Sequence, residues 1–413
     1  MRQLLFLLMV LVVALQPQPA AACGGLFCTN TPVDQAVERI IFAVNQDYGE
    51  ITAYVQINYT GGATDFSWVV PVPSDPLVDV AETGPFSELS DLTRTRFIFP
   101  PPPSCSNGNK LRSVGLALDG HSSTGVELDA EQSGVDIYQR GSVGPYDFAV
   151  IGGERPELLI GWLRENGYRL TPEMEPLIAV YTDGGMLFLA MKLQGGRGVQ
   201  DIQPIKMRYK GTQPMIPIRL TAVAATPNMG MLVWIFADAQ MTPENMEPLY
   251  VDDNKVALTD QFGGNNYSLL RGAVIDTVGG HGFITEYAQP TSEFVSSDPE
   301  IALLAVEHRY LTRLYAEMSP EEMTIDPVFK PDAKLATVSN IHDYSRRPSP
   351  YTCDDGIKSV SRQQSEARWG IDIEMLFCLI LIGIIAAVLI GNWVHTVRQN
   401  EKRDKEWRKA HER

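Results

Sequence analysis

The chain has 413 residues, 44% of them hydrophobic and 20% charged, which fits one large globular unit with appendages or two or three smaller ones. A formal net charge of −16 argues against nucleic acid as a partner, because phosphate binding needs basic surface.

Residues 1–22 read as a secretory signal peptide. Arg2 supplies the positive start, residues 4–15 form an apolar run too short to span a bilayer, and Pro17 and Pro19 break it. Ala20-Ala21-Ala22 offers a small-residue cleavage site. Cys23 follows directly and raises lipoprotein processing as an alternative, although Ala20 stands where a lipobox carries Leu.

An extracytoplasmic module is expected over 23–320. The second half of 33–44 and the alternating 51–59 read as strands joined by a hairpin loop at 45–49. A strand over 65–74 must end, or lie on a sheet edge, where Pro71 and Pro73 remove ladder donors. A short helix is expected within 86–97, with Leu89 and Leu92 on one face. Residues 106–133 are rich in Ser, Gly, Asn and Asp and read as a loop. Two strands follow, 135–138 and 146–151, across a Gly-Pro turn. Pro156 opens a helix that Asn166-Gly167 closes, and Thr171-Pro172 opens a second with Thr171 as N-cap.

Strands are expected over 186–193 and 202–209. Residues 215–238 then give a β-hairpin signal, with two apolar arms around Thr226-Pro227-Asn228-Met229-Gly230. The second arm, 231–237, is apolar on both faces, as a central strand is. Residues 250–281 are turn-rich, and 283–287 is a strand. The strongest helix signal covers 297–318, with Pro299 in its first turn and an apolar stripe of Leu303, Leu304, Val306, Tyr310, Leu311 and Leu314.

The chain turns polar over 321–370, which reads as a stalk. The transmembrane helix is expected over 371–394. About 20 apolar residues at about 1.5 Å each match the roughly 30 Å hydrocarbon core, flanked by Trp369 and Trp393. The basic tail, 395–413, then belongs in the cytoplasm and the bulk of the chain outside it.

Several motifs in order resemble the bacterial domain of unknown function 2330 family. They are Cys23-Gly-Gly-Leu-Phe-Cys28, Val33-Asp-Gln-Ala-Val-Glu-Arg-Ile-Ile-Phe42, Asp65-Phe-Ser-Trp-Val-Val-Pro-Val-Pro73 and Gly144-Pro-Tyr-Asp147. Trp162-Leu-Arg-Glu-Asn-Gly-Tyr168, Asp201-Ile-Gln-Pro204 and Met215-Ile-Pro-Ile-Arg-Leu-Thr-Ala222 continue the match. The resemblance implies an exported bacterial envelope protein, often with a C-terminal anchor, of no established activity. It carries over no catalytic residues.

The residues themselves give few chemical signals. Cys378 lies in the expected span, which leaves Cys23, Cys28, Cys105 and Cys353 as disulfide candidates with three pairings open. Cys23–Cys28 is the simplest local closure. Cys-x4-Cys without a second pair is a poor zinc signature, and it is off the Cys-x2-Cys redox pattern. No His-Glu-x-x-His or Gly-x-Ser-x-Gly occurs, and Asp252-Asp253-Asn254 lacks EF-hand spacing. No metal, cofactor or catalytic residue is assigned. Two residues are possible ligand contacts: His281 among glycines, and Arg219, a charge in an expected apolar strand that must be paired or face a cavity. Trp68 and Trp234 read as core aromatics.

The expected fold is α+β, a largely antiparallel sheet with a few packed helices and one C-terminal transmembrane helix. The leading functional reading is a membrane-anchored envelope module, not an enzyme, that binds another protein or a surface polymer. The alternatives are an extracytoplasmic hydrolase or ligand-processing enzyme, and a subunit of a membrane complex.

Overall fold

The computed structural model describes residues 34–60, 66–101, 135–168, 170–259, 264–349, 351–352 and 356–357. The expected signal peptide, transmembrane helix and tail lie outside the described residues, as do Cys23, Cys28, Cys105, Cys353 and Cys378. Among the described residues no helix is long and apolar enough to cross a membrane.

In chain order the first strands are β1 (Asp34–Asn45), β2 (Glu50–Thr60), β3 (Ser67–Val72) and β4 (Leu77–Val80), then helix α1 (Gly84–Thr93) and β5 (Arg96–Ile98). Next come β6 (Asp136–Val143), β7 (Tyr146–Gly152), α2 (Pro156–Glu165), α3 (Met174–Asp183), β8 (Leu187–Leu193) and β9 (Ile205–Lys210). The centre holds α4 (Ile218–Thr221), β10 (Ala225–Ala237), β11 (Met241–Pro243), β12 (Glu247–Leu249) and α5 (Tyr267–Asp276). The chain continues through β13 (Gly282–Pro290), α6 (Pro299–Glu307), β14 (Tyr310–Met318), β15 (Phe329–Pro331) and β16 (Ile341–Asp343).

The fold is α+β, with mostly antiparallel sheets and few helices. One sheet has eight strands in the order β12-β13-β14-β10-β1-β2-β9-β4, and a second has four, β3-β8-β7-β6. Parallel pairs occur at β1–β10, β12–β13 and β16–β5. The β1–β2 hairpin forms as the alternation predicts, and β3 lies on the edge of its sheet, where Pro71 costs no ladder bond. The Gly-Pro turn between β6 and β7 needs its glycine. Gly144 has φ +52°, and a Cβ there would stand 2.6 Å from Val80.

The period-2 alternation of the long strands sorts their side chains into two cores. Ile40, Phe42, Val44, Ile51, Ala53 and Val55 point to one face of the large sheet, against the four-stranded sheet. Ile41, Ala43, Tyr54, Trp234 and Phe236 point to the other, against Phe86 and Leu89 of α1 and Ile301 and Leu304 of α6. Each such fully buried large side chain contributes on the order of 1.5–3 kcal/mol. The outer face of the small sheet is covered by α2. Arg140 of β6 lies over the Trp162 ring, and Lys192 of β8 lies over the Tyr168 ring and bonds the Asn166 carbonyl. The layers therefore run helices, large sheet, small sheet, helices.

Four expectations need correction. Residues 215–238 are not a hairpin. The first arm makes one bridge, Met215 to Val328, and then turns through α4, and a single strand, β10, runs through the Pro-Asn-Met-Gly break. Pro214 and Pro217 have no N–H for a ladder, and the Arg219 N–H goes to the Asp326 carboxylate. The break survives inside β10 as a bulge opposite Gln35–Val37, with Asn228 at φ +57°.

The expected helix over 297–318 is the short α6 followed by a strand. Asp298 caps α6 through the Glu300 and Ile301 N–H groups, and His308 leaves helical geometry at φ −123°, ψ 149°. Tyr310–Met318 then fills the slot between β10 and β13, so two ladders outweigh local helix preference. Val306, placed on the apolar stripe, is 85% exposed. The turn-rich stretch 250–281 contains a helix, α5, and α3 is N-capped at Glu173, not Thr171. Finally, the segment expected as a stalk from 321 packs on the module as far as 349. Met323, Phe329 and Tyr344 are buried, β15 pairs with β11, and β16 pairs with β5.

Candidate functional site

The two sheets do not close completely. Between them lies a pocket of about 90 Å³. Ile40 and Phe42 of β1, Ala53 and Val55 of β2, and Met207 and Tyr209 of β9 form one wall. Trp68, Val70 and Val72 of β3 form the other, and Ile216 and Thr221 close the side. The same alternation that builds the core builds these walls.

The pocket has two unlike ends. Pro73 and Gln213 are exposed and Met215 and Pro217 half-buried, which makes residues 211–217 the mouth. This rim is strapped in place. The Gly211 N–H bonds the Gly49 carbonyl, Gln46 bonds the Thr212 carbonyl, Gln213 bonds Glu244, and Ile216 bonds the Pro327 carbonyl. At the other end, β2 passes to β3 through only residues 61–66, so the start of β3 stands over the starts of β1 and the end of β2. Trp68 and Glu38, 3% and 6% exposed, are thus the floor.

The floor carries the polar chemistry. The Trp68 Nε1–H makes no hydrogen bond, an uncommon state for a buried donor. Glu38 adds a carboxylate. Tyr209, on the wall, has its hydroxyl pKa pushed up by burial, so it stays neutral.

The structure puts the two sequence-selected residues elsewhere. Arg219 sits on α4 with its Nε 3.7 Å from Asp326 Oδ2, while its backbone N–H donates to Asp326 Oδ1. The Tyr181 hydroxyl donates to the same oxygen at 2.8 Å. Burial raises the Asp326 pKa, and these bonds offset part of that rise. The ring Nε2 of His281 is 2.7 Å from the Glu322 carbonyl and 3.2 Å from Thr324 Oγ1. Both residues therefore hold the 322–326 segment to the module, and neither lines the pocket. Trp234 is core, as expected, with its Nε1–H donating to Thr93 Oγ1 at 2.9 Å.

Two clusters escaped the sequence because their members are far apart in it. Glu286 accepts from Arg313 Nε at 2.8 Å, from Arg271 NH1 at 3.1 Å and from the Tyr267 hydroxyl at 3.1 Å. The Arg271 guanidinium also lies 3.4 Å from the Tyr315 ring centroid. This cluster pins α5 and α1 to the large sheet. The second joins His342 Nδ1 to Asp253 Oδ1 at 2.8 Å, among Phe97, Tyr267 and Tyr344, and clasps 341–347 to the module. Among the described residues no group of three His, Cys, Asp or Glu side chains could hold a metal ion.

The family model described as "Uncharacterized protein conserved in bacteria (DUF2330)" matches residues 17–330. The chain belongs to this family. The family's matched region takes in both sheets, the pocket and the strap that closes its mouth. Comparison with curated proteins and with solved structures finds no match.

Proposed function

We propose that this protein is an exported, membrane-anchored binding module that takes an apolar group of an envelope protein or surface polymer into the pocket between its sheets. The pocket carries the reading: it is preformed, apolar along its walls and polar only at its floor. The strongly acidic net charge of −16 suits a partner other than nucleic acid. Export and anchoring rest on the pattern of residues 1–22 and 371–394, which leaves the module outside the cytoplasm and the basic tail inside.

The test places a photoreactive residue at Gln213, on the rim, in the full-length protein in its parent membrane. The reading expects one reproducible adduct, lost when Ala53→Phe fills the pocket. Adducts that persist with the pocket filled would contradict it.

A further inference from the structure

The pocket's shape and its two floor groups together specify a ligand tip, and this step rests on the binding reading above. From Glu38 to Phe42, or from Trp68 to Val72, is four residues of strand, so the pocket runs about 13 Å at roughly 3.3 Å per residue. An apolar cavity of about 150 Å³ takes up benzene. Some 90 Å³ drawn out over that length suits an unbranched chain better than a ring.

The walls met by such a chain, Ile40, Val55, Val70 and Met207, are aliphatic. The floor is different. The Trp68 Nε1–H is a buried donor without an acceptor, and leaving such a group unmet costs about 1–3 kcal/mol. The Glu38 carboxylate is acceptor-only when ionised, with about four acceptor sites. The complement to a donor beside an acceptor is a neutral group that both accepts and donates. We infer that the pocket takes an unbranched aliphatic chain tipped by a carboxamide, its C=O accepting from Trp68 Nε1–H and its N–H donating to Glu38. A carboxylate tip would meet Glu38 with like charge. An ammonium tip would leave the indole N–H unmet.

The experiment uses full-length protein in detergent micelles with ¹³C-methyl methionine. Met207 and Met215 line the pocket, and their signals are assigned with Met207→Leu and Met215→Leu. The probes are hexanamide, hexane, hexylamine and hexanoate. Hexanamide should shift both methyl signals and bind tightest. Trp68→Phe keeps the apolar body and removes the donor, so it should weaken hexanamide about 3- to 10-fold, the range of one hydrogen bond. The hexane response of Trp68→Phe should be unchanged, which also shows that the variant's pocket is formed. If hexane shifts the methyls but hexanamide binds no better, is insensitive to Trp68→Phe, or is beaten by hexylamine, the carboxamide assignment is overturned and the pocket reading stands. If no probe moves either methyl, both are overturned.

Discussion

Removing the Glu286 carboxylate should be among the most damaging single changes outside the hydrophobic core. Its side chain is 1% exposed, and it is the shared partner of Arg313, 9% exposed, and Arg271, 20% exposed. Glu286→Ala leaves two guanidinium groups against a low-dielectric interior and deletes the acceptor of the Tyr267 hydroxyl. Breaking a buried pair in this way costs about 3–5 kcal/mol, because the remaining charge is uncompensated. Stacking of Arg271 on Tyr315 and the bond from Arg313 to Thr93 temper the loss without replacing the carboxylate. At roughly 2–4 °C per kcal/mol for a large domain, the midpoint should fall by about 6–20 °C. Thermal unfolding of the purified full-length protein, followed by tryptophan fluorescence, reads this directly. A fall of less than about 2 °C would refute the reasoning, since it would mean that the cluster is solvated or rearranges freely.

Leu314→Ala and Val306→Ala separate the observed strand from the expected helix. Leu314 is fully buried on β14, so its truncation should cost about 2–5 kcal/mol, whereas the exposed Val306 should change stability by no more than about 0.5 kcal/mol; comparable losses in denaturant unfolding would count against the strand. Asp326 has a raised pKa, so its protonated form favours the folded state; that contribution is full below the unfolded value near 3.9 and fades as pH rises through the folded value. Asp326→Asn should therefore flatten the stability profile from about pH 4 upward and hold or raise stability at pH 7. A steeper profile in the variant would show that the ion pair with Arg219 outweighs burial. Lys206 bonds Glu300 at 2.6 Å and lies over the Tyr54 ring, but it is a third exposed. Lys206→Met should cost less than about 1 kcal/mol in the same unfolding assay, and a loss near 3 would show that this pair is effectively buried.

How much of this could be read in the chain depends on the range of the forces involved. Strands with their own alternation, such as β1, β2 and β8, were legible, because period-2 burial is written in neighbouring residues. So were the edge position of β3 from Pro71 and the α2 cap at Asn166-Gly167. Tyr310–Met318 was not. Its Leu and Tyr residues fit a helical stripe as well as a strand, and only pairing with β10 and β13 decides between them. The charge at Arg219 was correctly read as needing a partner, but Asp326 lies 107 residues away and no local signal points to it. The pocket was also hidden. Trp68 looked like a core aromatic, and it is one on every side but that facing the gap between the sheets. His281 looked available among its glycines, yet its ring is taken up by Glu322 and Thr324.

Whether the space between the sheets admits a guest is the point on which the binding reading turns. Crystals of the full-length protein under xenon pressure test it without any knowledge of the natural ligand, because xenon enters apolar cavities. Xenon density between Val70, Met207 and Trp68, abolished by Ala53→Phe, is the expected result. Wild-type crystals with no xenon between the sheets would contradict the reading.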